Sequence, residues 1–277
     1  MAGRLVLVGT PLGNVADLSP RAARTLAEAD VVACEDTRHT RKLLAVAGIA
    51  VERLTALHQH NEAEAGAALV DRILRENVTV ALVTDAGMPA VSDPGERVVR
   101  AAIEAGVRID VVPGPTAATT ALALSGLPSL RWCFEGFLPR KGKDRAERLA
   151  ALAREERTTV LYEAPHRLRE TLADLRDACG ADRSVVVARE LTKMFEEVWR
   201  GTLADAVEHA TDVEPRGEYT LVLDGAPPPP PATADDVEAA VDRKLAEGMS
   251  RKDAAGAVAA ELGVPRRVAY EAANRLR

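Results

Sequence analysis

Three loops gather the side chains with which this chain could do chemistry. Gly9-Thr-Pro-Leu-Gly-Asn14 closes an apolar run. Thr84 to Gly95 packs two acids (Asp85, Asp93), two glycines (Gly87, Gly95) and two prolines into one segment that also holds Ser92. Val112-Pro-Gly-Pro-Thr-Ala-Ala118 opens a helix. The first loop lacks the Lys-Ser/Thr pair of a Walker A motif, and no G-x-G-x-x-G fingerprint is present. Pro11 also removes a backbone donor where a phosphate nest needs one. What the loops offer is carbonyls, amides, small hydroxyls and carboxylates. That chemistry suits a neutral or cationic, hydroxyl-rich ligand better than a nucleoside triphosphate.

Other reactive residue types read more plainly. His58 and His60 would share one face of a strand, but no third ligand is evident. No metal is expected there, and the two rings are read as hydrogen-bonding near a cleft. Cys34, beside Glu35, reads as a small residue at a strand end rather than a reactive thiol. His166 and Arg167 sit near a helix start and are read as substrate contacts.

These loops need a scaffold, and the sequence alternates to supply one. Strands are expected at Arg4–Val8, Val31–Ala33, Thr79–Val83 and Arg108–Val112. Helices are expected at Leu18–Ala29, with Ser19-Pro20 at its start, and at Thr40–Ala47, Asn61–Glu76 and Pro94–Ala105. Such alternation implies right-handed crossovers and a largely parallel sheet. In open α/β sheets, ligands bind outside the carboxyl ends of the strands, where all three loops would meet. Residues 1–117 are therefore read as an N-terminal α/β domain.

Residues 118–225 read as a second α/β domain with a mixed sheet, the ligand cleft lying between the two. Its strands are expected at Trp132–Phe134, Thr158–Tyr162, Ser184–Ala188, Glu197–Arg200 and Tyr219–Leu223. Helices are expected near 144–153, 165–178 and 202–210. A turn at Gly201 suggests a hairpin. The proline run Pro227–Pro231 reads as a semi-rigid linker over 226–232. Residues 233–277 then read as three helices, about 234–246, 250–261 and 265–276, in a helix-turn-helix-like unit. Arg266, Arg267, Arg275 and Arg277 decorate the last of them.

Size and composition exclude several classes. The chain has 277 residues, 47% hydrophobic and 28% charged, with no apolar run of membrane-spanning length. Three widely spaced cysteines fit neither a disulfide framework nor a zinc site, which points to a reducing cytoplasm. A net charge of −6 argues against bulk attraction to nucleic acid, and 3% aromatics leave few platforms for stacking bases. Local basic patches remain open to it.

The residues do resemble a known family. Gly9–Asn14, Glu35-Asp-Thr-Arg-His39, Leu57-His-Gln-His-Asn-Glu62, Asp85-Ala-Gly-Met-Pro89 with Asp93-Pro-Gly95, and Pro113-Gly-Pro115 follow in order. Phe134-Glu-Gly-Phe-Leu-Pro139, Tyr162-Glu-Ala-Pro-His-Arg167, Ala188-Arg-Glu-Leu-Thr-Lys193 and Gly217-Glu-Tyr-Thr-Leu-Val222 continue the series. Over residues 4–224 the chain resembles the bacterial small-subunit ribosomal RNA 2′-O-ribose methyltransferases of the tetrapyrrole methylase superfamily. The last three helices look like that family's helix-turn-helix appendage. Met88 departs from the expected Thr.

The resemblance implies a two-domain class III (tetrapyrrole methylase-like) α/β fold and S-adenosylmethionine as methyl donor. It implies methylation of the ribose of a P-site cytidine in 16S rRNA, within the 30S subunit, by a cytoplasmic homodimer. It places Pro11, Gly13, Asp85, Gly87, Ser92, Asp93, Pro113, Gly114, Thr116 and Ala117 at the cofactor, with Tyr162, Glu163, Ala188 and Arg189 closing over it. A 2′-hydroxyl must lose its proton, so a base or an acidifying cation is needed. Glu35, Asp36, Glu190 and Lys193 are the candidates. Arg38, or Lys193, would hold RNA phosphate. Arg140, Lys141 and Lys143, flanked by Arg145 and Arg148, form the densest basic segment and are read with His166 and Arg167 as RNA contacts. Two alternatives stay open: a tetrapyrrole or protein methyltransferase of the same fold, and a ligand-responsive helix-turn-helix regulator binding DNA. Eight acidic and eight basic residues in 233–277 weaken the second.

Overall fold

Short apolar runs rich in valine and leucine form the buried strands, and most are followed by glycine, proline or an acid. A computed structural model describes residues 3–228 and 232–275. They fall into two compact units, one ending at Ala226 and one beginning at Pro227.

In the first unit, β1 (Arg4–Val8), β2 (Val31–Cys34), β3 (Leu54–Ala56), β4 (Thr79–Val83) and β5 (Arg108–Val112) form a parallel sheet in the order β3-β2-β4-β1-β5. The helices between them are α1 (Pro20–Glu28), α2 (Thr37–Val46), α3 (Glu62–Glu76) and α4 (Glu96–Glu104). Ser19 caps α1 through Ala22 N–H, with Pro20 in the first turn, where its missing donor costs nothing. Asp36 caps α2 through Arg38 N–H, so that helix starts at Thr37 rather than Thr40. The edge strand β3 was not expected. It has three residues, none of them buried, and so carries no apolar pattern to read.

After α5 (Ala117–Ser125), a second sheet assembles from β6 (Trp132–Phe137), β7 (Thr158–Glu163), β8 (Ser184–Arg189), β9 (Glu197–Thr202) and β10 (Tyr219–Leu223). Its order is β6-β7-β10-β8-β9; β10 runs antiparallel to both neighbours, and β8 and β9 form an antiparallel pair. That pair turns at residues 190–196. Gly201 lies inside β9 opposite Val185, so the expected turn there is corrected. A Cβ at Gly201 would sit 2.5 Å from the Trp199 ring, which is the reason for glycine. The helices α6 (Lys143–Leu152), α7 (Leu168–Cys179) and α8 (Leu203–Asp212) complete this half. Leu161, Leu172, Leu175, Leu203 and Leu221 fill its core.

The second unit is α9 (Ala234–Ala246), α10 (Arg251–Leu262) and α11 (Arg266–Arg275). Alanines and valines form its core, and small side chains of this kind let helices approach closely. Two of the arginines on the last helix are engaged in ion pairs, Arg267 with Glu271 at 3.7 Å and Arg275 with Glu238 at 3.3 Å. Within the expected linker, Pro229–Pro231 lie outside the described residues, as does Arg277. Among the described residues, no helix is long and apolar enough to cross a membrane.

Candidate active site

Because β1, β4 and β5 are adjacent and parallel, their carboxyl ends deliver the three glycine-rich loops to one edge. The loops interlock there. Thr10 and Gly87 exchange backbone hydrogen bonds at 2.9 and 3.1 Å, and the Thr10 hydroxyl donates to Thr84 O at 3.1 Å. Gly9 and Gly114 touch backbone to backbone: a Cβ on Gly9 would lie 2.6 Å from Gly114 Cα. Asp36 N–H donates to Asp85 Oδ1 at 3.2 Å and joins the β2 end to the same edge.

A cavity of about 410 Å³ opens against these loops. Leu12, Glu35, Asp85, Gly87, Met88, Ser92, Asp93, Thr116 and Ala117 line it from the parallel half. Phe137, Tyr162, Glu163, Leu191, Lys193, Glu218 and Thr220 line it from the other. The Tyr162 hydroxyl accepts from Ala118 N–H at 3.2 Å, pinning the start of α5 to β7. Asn14 N–H donates to the Thr192 hydroxyl at 3.2 Å across the two halves.

The charges are lopsided. Glu35, Asp85, Asp93, Glu163 and Glu218 face one cation, Lys193. Its ammonium is already engaged, donating to Glu190 at 2.9 Å and Glu218 at 2.8 Å. Asp93 is the perturbed acid. Desolvation, then repulsion from Glu35, Asp85 and Glu218, pushes its carboxyl up to about 7. The Thr84 hydroxyl donates to Glu35 at 3.1 Å.

Several residues expected at the site are also tied into the fold by their own bonds. Burial disfavours the Glu190 carboxylate, but bonds from Lys193 and from Glu218 N–H outweigh it and hold the group below its ordinary value. Glu190 is thus an ion-paired anchor, at φ 48° and packed over Gly217. Asp36 caps α2 and pairs with Arg38, whose bonds hold it at about 2. Glu163 is buried, accepting from Thr171 Oγ1 at 2.5 Å and Ala164 N–H at 2.8 Å. Arg167 donates to Leu138 O at 2.8 Å, and Arg189 to Arg216 O at 2.8 Å. Ala188 is buried in the core under β8. Pro11, Pro113 and Gly114 shape the loops without lining the cavity, and Gly13 presses on the Lys193 stem.

The basic segment also divides. Arg145 is buried, bonded to Asp174 at 2.7 Å, Pro139 O at 2.9 Å and Thr171 at 3.1 Å. Arg148 pairs with Glu135 at 2.7 Å. Arg140, Lys141, Lys143 and His166 are exposed, and Lys143 pairs with Glu147 at 3.5 Å. His58 Nδ1 is buried with no hydrogen-bond partner among the described residues, which corrects the hydrogen-bonding role expected for it. Among the described residues no cluster of His, Cys, Asp or Glu could hold a metal. Leu12, Phe137, Leu191, Glu218 and Thr220 were not anticipated in the cavity. The Gly217–Val222 motif was the available signal for the last two.

Two five-stranded sheets with an acid-lined cavity where the three loops meet define an α/β protein with a built ligand site. The family description Tetrapyrrole (Corrin/Porphyrin) Methylases matches residues 4–207. "Ribosomal RNA small subunit methyltransferase I" of Synechocystis sp. is 44% identical over 271 residues, covering 97% of this chain and 96% of its own. The protein of that name from Mycobacterium bovis is 47% identical over 274 residues, covering 98% and 94%. Uroporphyrin-III C-methyltransferase from Thermus thermophilus, crystallised with S-adenyl homocysteine, superposes with a TM-score of 0.57 at 24% identity. That superposition covers 80% of this chain and 97% of that one. The chain belongs to the tetrapyrrole methylase family, has its class III fold, and is a methyltransferase.

Proposed function

We propose that the chain transfers a methyl group from S-adenosylmethionine to the ribose 2′-hydroxyl of a P-site cytidine in 16S rRNA, within the 30S subunit. The observation that carries this reading is Asp93: a carboxyl poised near neutrality at the wall of an acid-rich cavity. The names of the relatives support ribosomal RNA of the small subunit as substrate. We place the reaction in the cytoplasm, performed by a homodimer, in keeping with the commonest oligomer symmetry.

The donor set fits S-adenosylmethionine, a sulfonium cation with a diol and no phosphate. Acids outnumber cations in the cavity, small hydroxyls line it, and Leu12, Leu191 and Tyr162 give it apolar walls. When bound, that donor supplies an electrophilic methyl group. The chain's own residues do the rest. Asp85, Ser92, Thr116 and Ala117 would hold the donor. Asp93 takes the hydroxyl proton on its carboxylate, a task for which a base near the working pH is the efficient choice. Fixed loops hold the hydroxyl in line, and alignment supplies much of the rate in such a displacement. Of the earlier candidates, Glu35 acts on Asp93 by repulsion, while Lys193 is a positioning residue.

The test is transfer of labelled methyl to purified 30S subunits lacking ribose methylation, followed by nuclease digestion and mass spectrometry. A methyl on the ribose of one cytidine is the expected product. Labelling of a base, of protein only, or of a tetrapyrrole in place of RNA overturns the reading.

A further inference from the structure

The chain has only three phenylalanines. Phe134 packs into the core with Tyr162, its ring 5.0 Å from the tyrosine's. The other two are spent on solvent. Phe137 lines the cavity and is 52% exposed, and Phe195 is 68% exposed beside Met194 at 91%. Met194 and Phe195 are consecutive exposed apolar residues next to Lys193 in the chain, and Phe137 lines the cavity that Lys193 also lines; this adjacency, rather than exposure alone, points to an interaction site.

Phe137 lines the cavity, and Phe195 sits on the tied-down loop that carries the lining residue Lys193. Phe137 ends β6, its ring edge-on to Tyr162 at 5.7 Å. Phe195 follows Lys193, whose side chain lines the cavity, by two residues. Its loop is tied down on either side. Thr192 N–H donates to the Glu196 carboxylate at 2.5 Å, Glu196 N–H donates to Lys193 O at 3.1 Å, and Asn14 holds the Thr192 hydroxyl. The loop thus presents Met194 and Phe195 with little left to order on binding.

Charge selects the occupant. The acids of the cavity repel phosphate, while the faces of a nucleobase are neutral and polarisable. Cations lie just beyond Phe137 in the chain. Arg140 and Lys141 are exposed and, among the described residues, make no ion pair. Aromatic faces beside a cationic track are what single-stranded nucleic acid requires.

We propose that Phe137 and Phe195 are stacking platforms for unstacked nucleobases of single-stranded RNA at the cavity mouth, with Arg140 and Lys141 taking flanking phosphates. This rests on the RNA reading above. Stacking lets neighbouring bases splay away from the ribose that enters the cavity.

The test compares Phe195→Ala, Phe195→Leu and Phe195→Trp in methyl transfer to 30S subunits, in S-adenosylhomocysteine affinity by calorimetry, and in elution volume. The expected result is a KM for 30S raised about tenfold by alanine, restored by tryptophan but not by leucine. Cofactor-product affinity and elution stay as in the wild type. An unchanged KM overturns the proposal. So does rescue by leucine equal to that by tryptophan, which would mean apolar packing only. A shift of the alanine variant to a smaller species overturns it too, assigning the face to a second copy of the chain. If the wild-type protein labels no ribosomal RNA, the functional reading fails by itself. The platforms are then judged by binding of a fluorescent single-stranded oligoribonucleotide: about tenfold weaker for Phe195→Ala supports them, and equal affinity overturns them.

Discussion

Asp93 gives the sharpest prediction because its environment sets a number. With its carboxyl at about 7, roughly a tenth is ionised at pH 6 and nine tenths at pH 8. If the carboxylate takes the hydroxyl proton, the single-turnover rate rises about tenfold across that interval and then levels off. Asp93→Asn lowers the plateau by about a hundredfold or more. Glu35→Gln removes a repulsion that raises the carboxyl, so the inflection moves to lower pH. The same burial has a signed effect on stability. The folded group titrates above the unfolded one, whose ordinary value is 3.8. Its favourable contribution is complete below about pH 4 and is lost as pH rises through 7. Asp93→Asn is therefore more stable than the wild type at pH 8 and not at pH 4. Discounted for partial exposure, the difference is about 1 kcal/mol, or about 2 °C in Tm. A rate flat from pH 6 to 8, or an asparagine variant within about threefold of the wild type, refutes the reasoning.

Other consequences follow from contacts. Gly13→Ala drives a Cβ into Lys193 Cγ while the ammonium is held by two carboxylates. A loss of about 1–3 kcal/mol in urea unfolding and weaker methyl transfer are expected; an unchanged midpoint contradicts this. At Gly9→Ala the obstacle is the backbone of Gly114, so a loss of about 2 kcal/mol or more is expected by the same measurement. Arg145→Ala removes the bonds to Asp174, Pro139 O and Thr171 and, with Asp174 partly hydrated, should cost about 1–3 kcal/mol in denaturation. The pair Arg140→Gln and Lys141→Gln leaves Tm within about 1 °C and reduces the salt slope of RNA binding by roughly 1.4, two single-strand phosphates' worth. A Tm loss in that pair, or an undiminished salt slope, assigns those cations to the fold.

Much of this architecture was legible because local signals agreed. Ser19-Pro20 started α1, glycines ended α2 and α4, and alternation forced the parallel order that gathers the loops. What escaped notice lacked a local signal. β3 is short and half wet, and exists because β2 offers it a partner through Val32, Ala33 and Cys34. Gly201 read as a turn because a glycine between strand signals usually is one, yet it serves the Trp199 ring. Arg145 read as one more cation in a basic run, although helix spacing put it on the inner face, against Asp174 on α7.

The site shows the same division at higher stakes. Its acids could be found in the sequence, but their roles could not, because those depend on partners far along the chain. Glu190 looked like a base until Lys193 and Glu218 N–H claimed its carboxylate. Asp93 read as a cofactor contact, and its raised carboxyl could not be read because Glu35 and Glu218 reach it from distant parts of the chain. Backbone strain supports this division. Of the five non-glycine residues at positive φ among the described residues, Ala90, Ser92, Glu190 and Thr192 belong to the two loops around the cavity. Asn77, the fifth, closes α3 and accepts from Gly3 N–H at 2.6 Å. Non-glycine residues at such angles persist where surrounding contacts over-determine them. Here those contacts include Ala90 N–H to Pro94 O at 3.2 Å, Glu190 N–H to Glu218 O at 3.0 Å and the Asn14–Thr192 bond. If the acceptor is a hydroxyl held in line, as proposed, the displacement needs loops that do not yield, and the strained positions on both sides of the cavity are where this chain would supply that stiffness.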